Sequence, residues 1–98
     1  MLVQGKYLYF DNDLSDVYTI RREMMEEGSL ESNQDLKLDY DHISIHGIVY
    51  AINESELPVA TGKIYFDGFN YRISDIYVLK DYRKMKYGDF LVKMLINR

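Results

Sequence analysis

The chain has no cysteine, no tryptophan and a single proline in 98 residues. Without cysteine it forms no disulfide and no thiolate metal site, which fits a reducing compartment. Its longest apolar run, Gly47 to Ile52, is far too short to span a bilayer. The start, Met1-Leu2-Val3-Gln4-Gly5-Lys6, has no signal-peptide apolar core. A cytoplasmic protein with no membrane partner is therefore expected. No Ser/His/Asp order, phosphate-binding P-loop or dinucleotide fingerprint occurs. What is present argues for a folded chain: the apolar fraction is 47%, too high for a disordered segment. A chain of this length makes one small domain and buries roughly 60–65% of its extended surface.

Basic residues are in the minority, 12 against 16 acids, for a net charge of −4. They are also unevenly placed. Residues 1–49 hold ten acids and four bases, a balance of −6, whereas residues 80–98 hold six bases and two acids, a balance of +4. A nucleic-acid binder is more often basic overall, so no nucleic-acid partner is expected. A basic end on an acidic body suits a small phosphorylated ligand. The ten tyrosines are scattered over several elements, which favours core and sheet packing over a nucleic-acid stacking platform.

Apolar spacing divides the chain into elements. Residues 3–10 read as a strand, and Asp11-Asn12-Asp13 as a turn and helix cap. Leu14, Val17, Tyr18, Ile20, Met24 and Met25 follow helical spacing up to Gly28, a helix stop. Residues 29–41 read as a polar loop. His42 to Ile52, Val59 to Phe66 and Tyr71 to Leu79 read as three consecutive strands. Asn53-Glu54-Ser55-Glu56 and Asp67-Gly68-Phe69-Asn70 are the turns between them. Short turns make an antiparallel meander the economical arrangement. Tyr87 to Ile96 reads as a second helix with Tyr87, Phe90, Leu91, Met94 and Leu95 on one face. The fold class expected is α+β: a mostly antiparallel sheet with flanking helices in the order β-α-β-β-β-α.

The last quarter carries the strongest signal. A strand ends near Leu79, and a basic turn (Lys80, Arg83, Lys84, Lys86) leads into the second helix. A helix N-terminus offers unpaired N–H groups and partial positive charge, and so binds phosphate.

Ala60-Thr61-Gly62-Lys63-Ile64, followed by Ile76-Tyr77-Val78-Leu79-Lys80-Asp81-Tyr82-Arg83-Lys84-Met85-Lys86-Tyr87-Gly88, resembles the GNAT superfamily of N-acetyltransferases. There a strand leads into Gln/Arg-x-x-Gly-x-Gly/Ala at the start of the cofactor helix. Arg83 takes the first position of that pattern, Gly88 the last, and Lys86 stands at the middle glycine. The resemblance implies acetyl-coenzyme A as cosubstrate and an amine as acceptor. Its pantetheine arm would pair with Ile76, Tyr77 and Val78. Its diphosphate would sit on the main-chain N–H groups of Arg83, Lys84, Met85, Lys86, Tyr87, Gly88 and Asp89. The resemblance also implies that residues 1–98 form a single GNAT-like domain without the family's C-terminal β-α-β-β portion, where many members carry their general-acid tyrosine.

Asp75 is the carboxylate of the expected fourth strand. It is the candidate catalytic base, since an amine must lose a proton during attack; the alternative is a solvated position or a pair with Arg72. His42 and His46, with Asp39 and Asp41, invite a metal reading. On one strand, however, positions four apart sit ~13 Å from each other, so no metal is expected. Two functions from different classes follow. One is an acyl-CoA-dependent N-acetyltransferase. The other is a truncated or split, inactive module acting through self-association or a complementing chain. An exposed fourth-strand edge would make a homodimer or a complementing chain the expected partner.

Overall fold

The structure, a computed structural model, describes residues 3–9, 11–28, 30, 36–52 and 55–98. In chain order they form β1 (Val3–Leu8), α1 (Ser15–Glu27), a 3₁₀ turn at Asp41–Ile43, β2 (Ile45–Ala51), β3 (Leu57–Phe66), β4 (Tyr71–Val78), a 3₁₀ helix at Lys80–Met85 and α2 (Tyr87–Ile96). The strands lie in the order β1-β2-β3-β4, each antiparallel to the next. This is the α+β meander that the turn lengths predict. Phe10 and Asn53-Glu54, expected in a strand and a turn, and residues 29 and 31–35 of the expected 29–41 loop lie outside the described residues.

Strand alternation sends successive side chains to opposite faces, and each face holds one helix. Ile48 and Tyr50 of β2 pack with Val17 and Ile20 of α1. Their neighbours Val49 and Ala51 pack with Tyr87, Leu91 and Leu95 of α2 and with Val59 and Ala60 of β3. The buried stripe of α1 is Val17, Ile20, Arg21 and Met24, an i, i+3, i+4, i+7 series that contains a charge. The helix ends at Gly28, which takes the left-handed conformation at φ 87° and donates to the carbonyls of Met24 and Met25. At its other end the cap comes from one residue earlier than usual: the Ser15 N–H donates to Asp13 Oδ1 at 2.9 Å.

Helix α2 comes close to the sheet because Gly47 and Gly62 face each other across β2 and β3. A Cβ on Gly47 would stand 2.9 Å from Leu91 Cδ1, and one on Gly62 would collide with Ile76 Cδ1.

The second strand begins later than its alternation suggests. Residues 42 and 43 belong to the 3₁₀ turn, and β2 starts at Ile45. Tyr40 enters the turn in the left-handed conformation at φ 69°. Asp41 is thereby buried and Ile43 is left 48% exposed, the reverse of their polarity. The third strand starts two residues early, at Leu57. Tyr50 pairs with Pro58 and Val49 with Ala60, so Val59 is an extra residue in β3. Such a bulge accommodates proline in a strand.

Candidate active site

The corner between β4 and α2 is built in three steps. The Leu79 N–H still donates to Val59 O at 2.8 Å, and then the chain coils into the 3₁₀ helix Lys80–Met85. Lys86 turns it at φ 61°, ψ 28°, and α2 begins at Tyr87. Residues 83–89 therefore form a helix-opening bend, with Arg83 to Met85 in 3₁₀ geometry and Tyr87, Gly88 and Asp89 in the first turn of α2. The left-handed residue is the lysine at the pattern's middle glycine. Its Cβ costs about 1–2 kcal/mol there, and the turn forms regardless. Gly88 has a different reason. A Cβ there would meet only Val78 Cγ2, at 3.9 Å, so this chain's own packing leaves room for a larger residue. A bare backbone at that point suits the approach of a ligand to the N–H groups of the first turn, which have no acceptor within the helix.

Tyr82 and Tyr87 are buried, with ring centroids 6.2 Å apart, and hold the bend to the core. Lys84, Met85 and Lys86 are exposed beside it. Arg83 is used otherwise. Its Nε donates to Val78 O at 2.9 Å, and its Nη2 reaches Glu27 and Met24 Sδ on α1. Its side chain braces the corner against α1, and its main-chain N–H lies inside the 3₁₀ helix, where such groups donate to the carbonyl three residues earlier. Behind the 3₁₀ helix, a groove of about 650 Å³ is lined in part by Glu23, Glu26, Glu27 and Asp81, a charge unsuited to a diphosphate.

Strand β4 is last in the sheet, and its outer edge has no strand partner among the described residues. Thr61 pairs with Tyr77 and Lys63 with Ser74, so Asp75 and Ile76 together oppose Gly62. This is a bulge, with Asp75 left-handed at φ 55°. It resets the alternation of the strand. Ile73, Ile76 and Val78 all pack toward α2, while Tyr77 packs toward α1.

A buried charge cluster sits beside the bulge. Arg21 is fully buried on α1 and grips Asp41 with two bonds, Nη1 to Oδ2 at 2.7 Å and Nη2 to Oδ1 at 3.0 Å. Arg21 Nη1 also donates to Leu36 O at 3.0 Å. Lys63, with no exposed surface, donates to the Asp39 carbonyl and lies 2.9 Å from both Asp41 Oδ1 and Asp75 Oδ2. Burial would raise the Asp41 carboxyl, but the Arg21 guanidinium, the Leu38 N–H and the Lys63 ammonium hold it down at about 2. His46, fully buried on β2, has its Nε2 3.3 Å from Asp41 O. Burial pushes its imidazole below the ordinary value. Burial and the charge of Asp75 push the Tyr77 phenol up.

Residues 14–98 match the acetyltransferase (GNAT) family. The chain belongs to the GNAT family. No curated protein sequence matches it. Among solved structures, an acetyltransferase of the GNAT family from Staphylococcus aureus Mu50 shares the fold, with a TM-score of 0.68 at 15% identity. The likeness covers 95% of this chain and 65% of that one, so this GNAT chain spans about two thirds of its structural neighbour.

On this GNAT frame the candidate residues fall into two groups. Ile76, Tyr77 and Val78 on β4 are followed, across residues 79–82, by the bend at Arg83 to Asp89. Asp75 stands one residue before them, paired with Lys63; Arg72 pairs instead with Asp67, at 2.7 Å. His42 and His46 are not on one strand: His42 is exposed on the 3₁₀ turn and His46 is buried on β2. Among the described residues no group of three or more His, Cys, Asp or Glu is arranged to hold a metal ion, and no helix is long and apolar enough to cross a membrane. The cluster of Arg21, Asp41 and Lys63 escaped the sequence reading. One local signal for it existed: Arg21 lies on the apolar stripe of α1.

Proposed function

We propose that this chain carries the acyl-donor side of an N-acetyltransferase, moving an acetyl group from acetyl-coenzyme A to an amine. The observation that carries the reading is the continuity of one free strand edge, 76–78, with one helix-opening bend, 83–89. A ligand with an extended amide arm and a diphosphate at its end needs those two surfaces side by side. The residues fit it. The outward backbone groups of Ile76 to Val78, apart from the Val78 carbonyl that accepts from Arg83 Nε, suit pairing with an extended arm as an added strand would. The first-turn N–H groups of α2, with Lys84 and Lys86 beside them, suit the diphosphate.

Acetyl-coenzyme A supplies an activated thioester when bound. A β4 amide near the bulge polarises its carbonyl as negative charge develops there. Asp75 takes the acceptor's proton. The amine nitrogen bonds to the carbonyl carbon, the carbon–sulfur bond breaks, and sulfur leaves with the electron pair as thiolate. One proton from nitrogen passes by way of Asp75 to solvent or to that thiolate. The match to an acetyltransferase family runs through the bend itself and does not favour the alternative of an inactive module.

The test is calorimetric titration with acetyl-coenzyme A and with desulfo-coenzyme A, followed by thiol release in the presence of a panel of primary amines. Micromolar binding of both ligands, with thiol release that depends on the amine, is expected. Absence of binding at millimolar ligand would overturn the proposal.

A further inference from the structure

Lys63 is a lysine without exposed surface in the middle of a strand. Burying an ammonium is costly unless every donor is matched. Here all three are, by Asp39 O, Asp41 Oδ1 and Asp75 Oδ2. Two of these acceptors belong to the segment that Arg21 already ties down with three hydrogen bonds, to Asp41 and to Leu36 O. The third bond of Lys63 goes elsewhere, to the bulge of β4. The ammonium therefore joins the bulge of β4 to residues 36–41 in addition to helping hold that segment.

Asp75 is where the cluster reaches solvent. Its side chain is 27% exposed, against 1% for Lys63 and 11% for Asp41. Its two oxygens are unequal. Oδ2 takes the bond from Lys63 and a 3.3 Å contact from the Ser74 hydroxyl, whereas Oδ1 has a 3.5 Å contact from the Tyr77 hydroxyl. The backbone under it is left-handed, and a strained residue of this kind persists when its surroundings over-determine it.

We propose that Lys63 is a positioning residue for acyl transfer: it ties down Oδ2 of Asp75 at the bulge and leaves Oδ1 turned to the acceptor amine. The proposal rests on the acetyltransferase reading above and deepens it. Lys63 itself touches neither substrate. Two carboxylates and two cations make the cluster neutral as a whole, so it leaves an incoming ammonium unrepelled, and Oδ1 of Asp75 receives its proton. Arg21 and Asp41 fix the far end of Lys63. Segments 39–41, 63 and 75 thus meet at one nitrogen, with Arg21 behind them on Asp41, one residue before the strand segment that would hold the acyl donor.

The experiment is a double-mutant cycle with Lys63→Met and Asp75→Asn. It reads kcat and KM for the amine and for acetyl-coenzyme A separately, with calorimetric affinity for acetyl-coenzyme A and a thermal melt on each variant. Each single variant is expected to bind acetyl-coenzyme A within about twofold of the parent and to lose at least about tenfold in kcat/KM for the amine. The double variant is expected to lose no more than either single one. Losses that multiply in the double variant, or a Lys63→Met protein as active as the parent, would overturn the proposal. If Lys63→Met does not fold, the partly exposed Asp75 still decides: Asp75→Asn with parental kcat/KM would overturn it too. A parent protein that binds acetyl-coenzyme A and acetylates amines while either variant is unaffected sinks this inference alone. A parent that does neither sinks the acetyltransferase reading and this inference with it.

Discussion

The guanidinium of Arg83 is paired with the carboxylate of Glu27, 56 residues earlier in the chain, and so fastens the bend before α2 to the last turn of α1. The same guanidinium donates to Val78 O at 2.9 Å. Two bonds from one side chain thus join α1, the end of β4 and the 3₁₀ helix. The Glu27 partner is partly exposed, with 42% and 25% of the two side chains accessible, and a pair of that kind contributes less than about 1 kcal/mol. The bond to the Val78 carbonyl is charge-assisted and worth about 1–2 kcal/mol.

Substitution separates these two bonds. Glu27→Gln is expected to lower the unfolding free energy by less than about 1 kcal/mol and to leave acetyl-coenzyme A affinity unchanged. Arg83→Met is expected to cost about 1–2 kcal/mol more than that. Urea denaturation and calorimetry check both. A Glu27→Gln protein with sharply raised affinity would mean that Arg83, once released, reaches the ligand.

Lys86→Gly is expected to stabilise the protein. The substitution removes the Cβ penalty of about 1–2 kcal/mol at φ 61°. It also adds about 0.5–1 kcal/mol of chain entropy to the unfolded state. The net gain is about 0.5–1 kcal/mol, which corresponds to a rise of about 4–8 °C per kcal/mol in melting temperature for a domain of this size. Acetyl-coenzyme A affinity is expected to hold or improve, because a bare backbone approaches the diphosphate more closely. A fall in affinity with a rise in stability would identify the Lys86 charge as the larger contributor to binding.

The contrast between Lys86 and Lys63 shows what a sequence exposes. Lys86 stands where a spacing rule demands a left-handed residue, and the backbone obeys the rule despite the side chain. The elements around it were equally local: Tyr87, Leu91 and Leu95 define α2, and Gly28 ends α1. The bulge left a fainter mark, since Ile73 and Ile76 share a face although they are three apart, which a regular strand does not allow. Only the packing against α2 makes that spacing readable. Lys63 left almost none. Its burial depends on acceptors at 39, 41 and 75, and those segments become neighbours only once the sheet is assembled. The direction of the Arg83 side chain was hidden for the same reason, because its partner lies on α1.

The glycine pair at 47 and 62 gives a packing prediction. Gly47→Ala would place a methyl 2.9 Å from Leu91 Cδ1 and 3.2 Å from Leu95 Cδ2, two residues that form the buried seam of α2. The helix must lift or its leucines must leave their rotamers, at a cost of about 1–3 kcal/mol. Shortening Leu91 to Val in the same protein is expected to return part of that loss. A Gly47→Ala protein as stable as the parent would mean that α2 sits farther from β2 than described.

Arg21 and Asp41 predict the acid response together with His46. Arg21→Leu would leave Asp41 buried beside Lys63 with half its bonds, and is expected to cost about 3–5 kcal/mol, as does the loss of one partner from other buried ion pairs. In the parent protein the pH dependence has two stages. The ordinary imidazole value is 6.5 and that of His46 in the fold is lower. As the pH falls through that ordinary value, the unfolded chain takes up a proton that the folded one does not, and stability drops until the folded value is reached. Asp41 acts later. Its carboxyl moves from 3.8 in the unfolded chain to about 2 in the fold, on the order of 2 kcal/mol that is present above pH ~4 and lost as the pH falls toward 2. Urea midpoints measured from pH 8 to pH 3 are expected to show both declines, and His46→Gln is expected to remove the upper one. A parent protein whose stability is flat between pH 7 and 5 would place His46 in contact with solvent or with an acceptor for its second nitrogen. The charge cluster would then be wetter than its geometry implies.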